Sequence, residues 1–278
     1  MRIFIAICLL YVVIFANLQD KIENFISQKN YSKQENLINV LFRNSSSFYR
    51  KSDGNVDSLK VLKVLEDNGL LELFYQNPIS LKVKFITHKN PLIFMKVIKE
   101  SLEAIGYNYF LTTRATKSDD KYIWIINLKT KHLINPILFS QELQKRGCEV
   151  EDVEKEDTNL WVYQINSDNA KLSAKNIDLD RTVKLLKPIE PYLIYANMAT
   201  NIKIKTSFSD HWYPFVVFLD NALHVISQTK INERKYTVKL EIPPNCTYIR
   251  IGDMYTLDNI KHGLSVYLRS KEQKCLMR

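Results

Sequence analysis

Glycine is scarce in this sequence: there are six in 278 residues, Gly54, Gly69, Gly106, Gly147, Gly252 and Gly263, and each stands alone. A backbone that cradles a phosphate, or bends sharply beneath a nucleophilic serine, needs glycines close together. G-x-G-x-x-G, Walker and G-x-S-x-G patterns are all missing, which excludes nucleotide binding and the familiar hydrolase elbow. Cysteine is scarcer still, at four residues. No C-x-x-C is present for zinc or redox chemistry, and so sparse a set is no disulfide framework; a single Cys246–Cys275 bridge is the one pairing the spacing offers. The five histidines, His88, His132, His211, His224 and His262, are nowhere at metal-ligand spacing, so no metal or other cofactor is expected. No block of five like charges occurs. No apolar run reaches the roughly 20 residues a membrane span requires.

What is present begins with an address. Arg2 precedes an unbroken apolar run from Ile3 to Phe15, and Ala16 stands before the polar Asn17, Gln19 and Asp20. This is the layout of a secretory signal, residues 1–16. Ile14, large for its place before the cut, leaves an uncleaved inner-membrane tether as the alternative. Cys8 lies inside the apolar run after bulky Ile7 and is no lipoprotein cysteine. Export changes the meaning of the formal net charge of +9. Nucleic acid is not an exported protein's partner, which leaves a lysine-rich solvated surface, anionic lipid headgroups, acidic glycans or an acidic protein face.

Residues 17–78 read as helical. Leu18, Ile22, Phe25 and Ile26 recur at helical spacing, Ser32 and Glu35 make a capping-box pattern, and Asp57 is placed to cap a helix that Asn68-Gly69 would stop. Residues 79–166 alternate strand and helix. Leu81–Thr87 and Tyr107–Thr113 read as strands, with Pro91 opening a helix that Gly106 ends. Tyr122–Ile126, a helix from Pro136 to Gly147, and strands about Val150–Val153 and Leu160–Ile165 follow. Asn90-Pro91-Leu92, Phe94 and Gly106 are echoed by Asn135-Pro136-Ile137, Phe139 and Gly147, as in a β-α-β duplication. The order, with room for an extra strand, predicts a ferredoxin-like α/β plait. Residues 167–180 are polar and suit a linker. From 181 to 270 up to eight short strands predict an antiparallel β-sandwich, jelly-roll or immunoglobulin-like, before a basic tail, 271–278. The fold class is therefore α+β, multidomain.

The candidate chemistry is thin. His88 and His132 precede the two Asn-Pro helix starts and could flank a shared site, although two polar loop residues at equivalent strand ends is the plainer interpretation. Glu149, Glu151, Asp152, Glu154, Glu156 and Asp157 form the richest acidic stretch; Val150 and Val153 interrupt it as in a solvated strand and hairpin, with a cation site as the alternative. Asp210, His211, Trp212 and Tyr213 are the ligand-binding candidates, aromatic rings for stacking beside polar contacts. No catalytic residue is assigned.

The short signal with Arg2, together with Asn221-Ala-Leu-His-Val-Ile-Ser and Asn201-Ile-Lys-Ile-Lys205, resembles uncharacterised periplasmic proteins of Campylobacterota. The resemblance implies a Gram-negative periplasm, where accessory proteins include envelope and flagellar-motor scaffolds. The expected function is a non-enzymatic scaffold or adaptor for periplasmic or membrane proteins. The alternative is a glycan- or peptidoglycan-binding module using the sandwich aromatics, and an enzyme with an unfamiliar site is the third reading.

Overall fold

The computed structural model describes residues 18–118 and 120–271. The signal with Ala16 and Cys8, and the tail from residue 272 with Cys275, lie outside the described residues; so does one partner of the expected Cys246–Cys275 bridge. The protein is α+β and divides into two compact units between Lys171 and Leu172. Among the described residues no helix is long and apolar enough to cross a membrane.

The first unit opens with helix α1, residues 18–26, which buries Leu18, Ile22, Phe25 and Ile26 as their spacing predicts. Helices α2 (Gln28–Lys33) and α3 (Glu35–Leu41) follow. The capping box does not form. Ser32 lies within α2, where its hydroxyl donates back to the Gln28 carbonyl at 3.1 Å, so α3 starts after Gln34 without a side-chain cap. Helix α4 (Ser58–Asp67) behaves as its sequence requires: the Asp57 carboxylate accepts from the Lys60 amide at 3.1 Å, and Gly69 closes it with a positive φ of 68°.

A five-stranded sheet then forms in the chain order β1 (Phe74–Thr87), α5 (Pro91–Ala104), β2 (Leu111–Ser118), β3 (Lys121–His132), α6 (Pro136–Lys145), β4 (Glu149–Asp157) and β5 (Leu160–Asn166). Its spatial order is β2-β3-β1-β5-β4, antiparallel except for the central β1–β5 pair. The strand beyond the β-α-β-β-α-β order is β5, inserted beside β1 so that β4 becomes an edge. Several boundaries differ from expectation: β3 runs on to His132 instead of ending at Ile126, and β4 extends to Asp157. β1 starts at Phe74, its pairing with β3 slipping between Phe74 and Ile79, where Pro78 has no amide to donate. β2 starts at Leu111 because Tyr107 belongs to the helix ending, its amide donating to the Leu102 carbonyl at 2.9 Å after Gly106.

One sheet face is covered by α5 and α6. Leu81, Val83, Phe85, Trp124, Ile126, Leu128 and Tyr163 lie beneath Phe94, Val97, Ile98 and Leu102 of α5 and Phe139 and Leu143 of α6, all buried, while Trp161 on the same face stacks on Phe25 of α1 at 5.8 Å. The Phe85, Phe139 and Tyr163 rings are mutually 5.3–5.8 Å apart. Burying each contributes about 1.5–3 kcal/mol. The two Asn-Pro starts are not equivalent: Asn135 Oδ1 caps α6 through the Ile137 and Leu138 amides at 2.9 and 3.1 Å, whereas Asn90 is left-handed and its side chain caps nothing.

Eight strands make the second unit: β6 (Thr182–Leu185), β7 (Tyr192–Tyr195), β8 (Asn201–Thr206), β9 (Pro214–Leu219), β10 (Val225–Lys230), β11 (Thr237–Glu241), β12 (Tyr248–Asp253) and β13 (Leu264–Arg269). They form two antiparallel sheets, β10-β9-β12-β7 and β11-β8-β13-β6. Ile194, Val216, Phe218, Ile249 and Ile251 of one sheet share a core with Ile202, Ile204, Val238, Leu264, Val266 and Leu268 of the other. The polar stretch 167–180 contains the unit boundary. Ser167 is buried on the first unit against Thr87 at 2.9 Å, while Lys175 and Leu179 bridge to Ile194 and Leu268 of the second.

Candidate functional site

The strand registers place three loops of the second unit together. Pro214 pairs with Asp253, Phe215 with Lys230, Lys205 with Thr237 and Thr206 with Leu264, so the turns β8–β9, β10–β11 and β12–β13 all leave the same end. Each crosses from one sheet to the other. Loops gathered on a rigid scaffold in this way are a usual seat of recognition.

Two carboxylates organise them. The side chain of Asp210 is fully buried; it stands 2.6 Å from His262 Nδ1 and accepts from the Thr206 hydroxyl at 3.1 Å. Asp253 holds the other side: Oδ2 accepts from the Tyr213 amide at 2.7 Å, and Oδ1 from the Tyr255 and Thr256 amides at 2.8 and 3.1 Å and from Asn259 Nδ2 at 3.0 Å. A cation completes the frame. Arg234 Nε and Nη2 both donate to the Asp210 carbonyl, at 3.1 and 2.8 Å, and Nη2 also reaches the Phe208 carbonyl at 2.9 Å. Its guanidinium lies 4.7 Å from the centre of the Tyr236 ring, which meets Phe208 at 5.1 Å.

The four residues singled out in the sequence separate in role. Asp210 is a buried organiser, and its imidazole partner is His262, 52 positions away, not its neighbour His211. His211 is exposed, and its amide donates to the Asn259 carbonyl at 3.1 Å. Trp212 has no exposed surface, and its indole N–H donates to the Gly252 carbonyl at 2.9 Å. A ring so placed offers no face to a sugar: it lies between the sheets because it continues the inward alternation of Pro214, Val216 and Phe218. Tyr213 is half-buried and meets Tyr255 edge-on at 5.0 Å. The exposed rings are Phe208, Tyr255 and Tyr236, 83%, 64% and 37% accessible. None of these three is among the four residues that the sequence singles out. The register of eight strands, which sends the three turns to one end, is the signal that finds them.

Ser209 brings a serine, a histidine and an aspartate together without making a relay. Its hydroxyl is 3.3 Å from Nδ1 of His262, the same nitrogen that faces Asp210. Acyl-transfer chemistry needs the serine on the opposite ring nitrogen, so this arrangement moves no proton from serine to aspartate.

The other candidates are structural or apart. His88 follows Thr87 at one end of β1, whereas His132 pairs with Phe74 at the other, so they stand on the order of 40 Å apart at 3.3 Å per residue. They flank no shared site. The acidic stretch is β4, hairpinned to β5. It borders an open polar cleft of about 820 Å³ in which Lys21 binds Asp152 at 2.9 Å and Glu154 at 3.6 Å, the Ser58 hydroxyl meets Asp152, and Arg50 pairs with Asp53 at 2.8 Å. Among the described residues no group of three or more histidine, cysteine, aspartate or glutamate side chains is placed to hold a metal ion. Cys148, also at this cleft, is buried, and burial pushes its thiol up to about 11.

Comparison with protein-family models, with curated proteins and with solved structures returns no match.

Proposed function

We propose that this is an exported, non-enzymatic scaffold or adaptor of a Gram-negative periplasm, and that the loop end of its second unit binds a partner protein. The observation that carries this is the pinned display of Phe208, Tyr236 and Tyr255 beside Arg234: tyrosine and arginine dominate binding hot spots, and loops already ordered lose little entropy on association. Within this reading the first unit is a ferredoxin-like plait widened by β5, and the second a sandwich of immunoglobulin or jelly-roll type. Two four-stranded sheets sharing one core support the second assignment. The run Ile3–Phe15 supports export.

The test is capture of crosslinked partners from periplasm with the wild-type chain and with Phe208→Ala/Tyr255→Ala, run beside peptidoglycan sedimentation. A partner captured by the wild type and lost with the variant supports the scaffold. Sedimentation with peptidoglycan that the variant abolishes would instead make the same rings a glycan site.

A further inference from the structure

The first unit carries a second exposed apolar surface, at the end of the sheet where β2 begins. Tyr109 is 92% accessible and stands between two shallow grooves of about 610 and 700 Å³, both lined by Asn108, Tyr109, Leu128 and Lys129. Leu111, 72% accessible, borders one groove; Leu138 borders the other, and Phe74 lies close by, edge-on to the His132 ring at 5.1 Å. Contiguous apolar surface of this kind on a folded unit marks an interaction site.

Charge decides what it meets. Among the described residues lining the two grooves none is acidic. Lys129 lies in both, and Lys131 is two positions along the same strand face. Leu111 pairs with Asn127, which pairs in turn with Lys82, and after the bulge at Thr113 Arg114 pairs with Ile125 on that face. All four cations are exposed, and none has an ion pair with a described residue. A projecting tyrosine and leucine among cations match a bilayer surface, where aromatic rings settle at headgroup depth and basic side chains meet anionic lipid. A folded partner would need a recess for a ring that projects, and a second copy would set these cations against their own kind. We therefore propose that the Tyr109–Leu111 tip of the first unit, with Lys82, Arg114, Lys129 and Lys131, docks on an anionic lipid bilayer. This is a site separate from the loop end of the second unit and stands or falls independently of it.

The full chain carrying Tyr109→Trp provides the readout, because Trp124, Trp161 and Trp212 are 3%, 2% and 0% accessible and the introduced indole alone is exposed. The probes are phosphatidylcholine vesicles with and without about 30 mole per cent phosphatidylglycerol, containing brominated phosphatidylcholine as a contact quencher. The expected result is a blue shift and quenching in the anionic vesicles only, reversed by salt. Adding Lys129→Gln and Lys131→Gln is expected to weaken binding about fivefold for each charge removed. Leu111→Ser is expected to weaken it roughly tenfold. Three results overturn the proposal: no quenching, equal quenching in neutral vesicles, or binding indifferent to the lysine substitutions. A blue shift that grows with protein concentration without vesicles also overturns it, in favour of a second copy of the chain.

Discussion

Replacing Trp212 separates its place in the core from a role at the surface. The indole is fully buried between the two sheets and its N–H satisfies the Gly252 carbonyl at 2.9 Å. Trp212→Ala removes the ring from a core that relaxes only partly, at a cost of about 3–5 kcal/mol. It also leaves the buried carbonyl without its donor, a further 1–3 kcal/mol or so. Against a typical domain stability of about 5–15 kcal/mol the second unit is then close to unfolded. Trp212→Phe is the measurable version: it keeps most of the ring but loses the hydrogen bond and some volume, a cost of roughly 2–3 kcal/mol. At about 4–8 °C per kcal/mol for a unit of this size, the midpoint falls by roughly 10–20 °C. Thermal unfolding followed by near-ultraviolet circular dichroism reads that shift. Tyr255→Ala, at an exposed ring, is the control and stays within about 0.5 kcal/mol of wild type. A Trp212→Phe midpoint indistinguishable from wild type would refute the reasoning and return the ring to the surface.

Gly263 has a φ of 82°, and a Cβ there would sit 2.0 Å from the Leu185 carbonyl oxygen, so Gly263→Ala is expected to cost upwards of about 3 kcal/mol in urea unfolding; Gly69→Ala, at φ 68° with nothing within 4 Å, costs about 1 kcal/mol. Asp57→Ala removes the cap of α4 and lowers stability by about 1 kcal/mol in the same assay. Burial raises the Cys148 thiol to about 11, so the folded state holds its proton more tightly than the unfolded chain. The associated stability is fully present below the ordinary thiol value near 8.5–9 and is lost as pH rises through that window towards 11; Cys148→Ala flattens this part of the alkaline stability curve. At about pH 8 the native thiol is expected to react with a disulfide reagent roughly a hundredfold more slowly than an exposed one, as peptide mapping would show. Equal rates in native and urea-unfolded protein would contradict its burial.

Much of the fold was legible because local signals agree with tertiary packing. Pro91, Pro136, Gly106 and Gly147 bound helices that each bury one apolar face, and all eight strands of the second unit lie where alternation and turn residues put them. The misplacements occur where two local motifs compete for the same backbone. Ser32 could cap a following helix or bond back within its own, and the helix around it decides. Tyr107 reads as the aromatic start of a strand until the turn after Gly106 claims its amide. The candidate site was less legible for a different reason. Neighbouring residues such as Asp210, His211, Trp212 and Tyr213 suggest a cluster, but alternation turns Trp212 inward, and Asp210 meets His262 through pairing between strands far apart in sequence. Periodicity gives the direction of a side chain, while its partner comes from register.

The charge of the first unit is arranged across its sheet. At the β4 edge the acidic residues are met by cations from elsewhere in the chain: Lys21 of α1 on Asp152 and Glu154, Lys84 of β1 on Glu156, and Arg50 donating to the Glu151 carbonyl. The helical prelude therefore does more than precede the sheet, because it brings Lys21 to the carboxylates of Asp152 and Glu154 and Arg50 to the Glu151 carbonyl. At the other edge the order reverses, with Arg114 and Lys117 on β2 and Lys129 and Lys131 on β3 exposed. A sheet whose acidic edge is only partly offset by Lys21 and Lys84 and whose basic edge is bare has a dipolar layout, and such a layout orients a molecule before contact. Facing an anionic surface, the torque brings β2 and β3 forward, and the first apolar side chains to arrive are Tyr109 and Leu111. Since both the long-range torque and the docked contacts of Lys82, Arg114, Lys129 and Lys131 rest on charge, salt is expected both to slow arrival and to reverse docking.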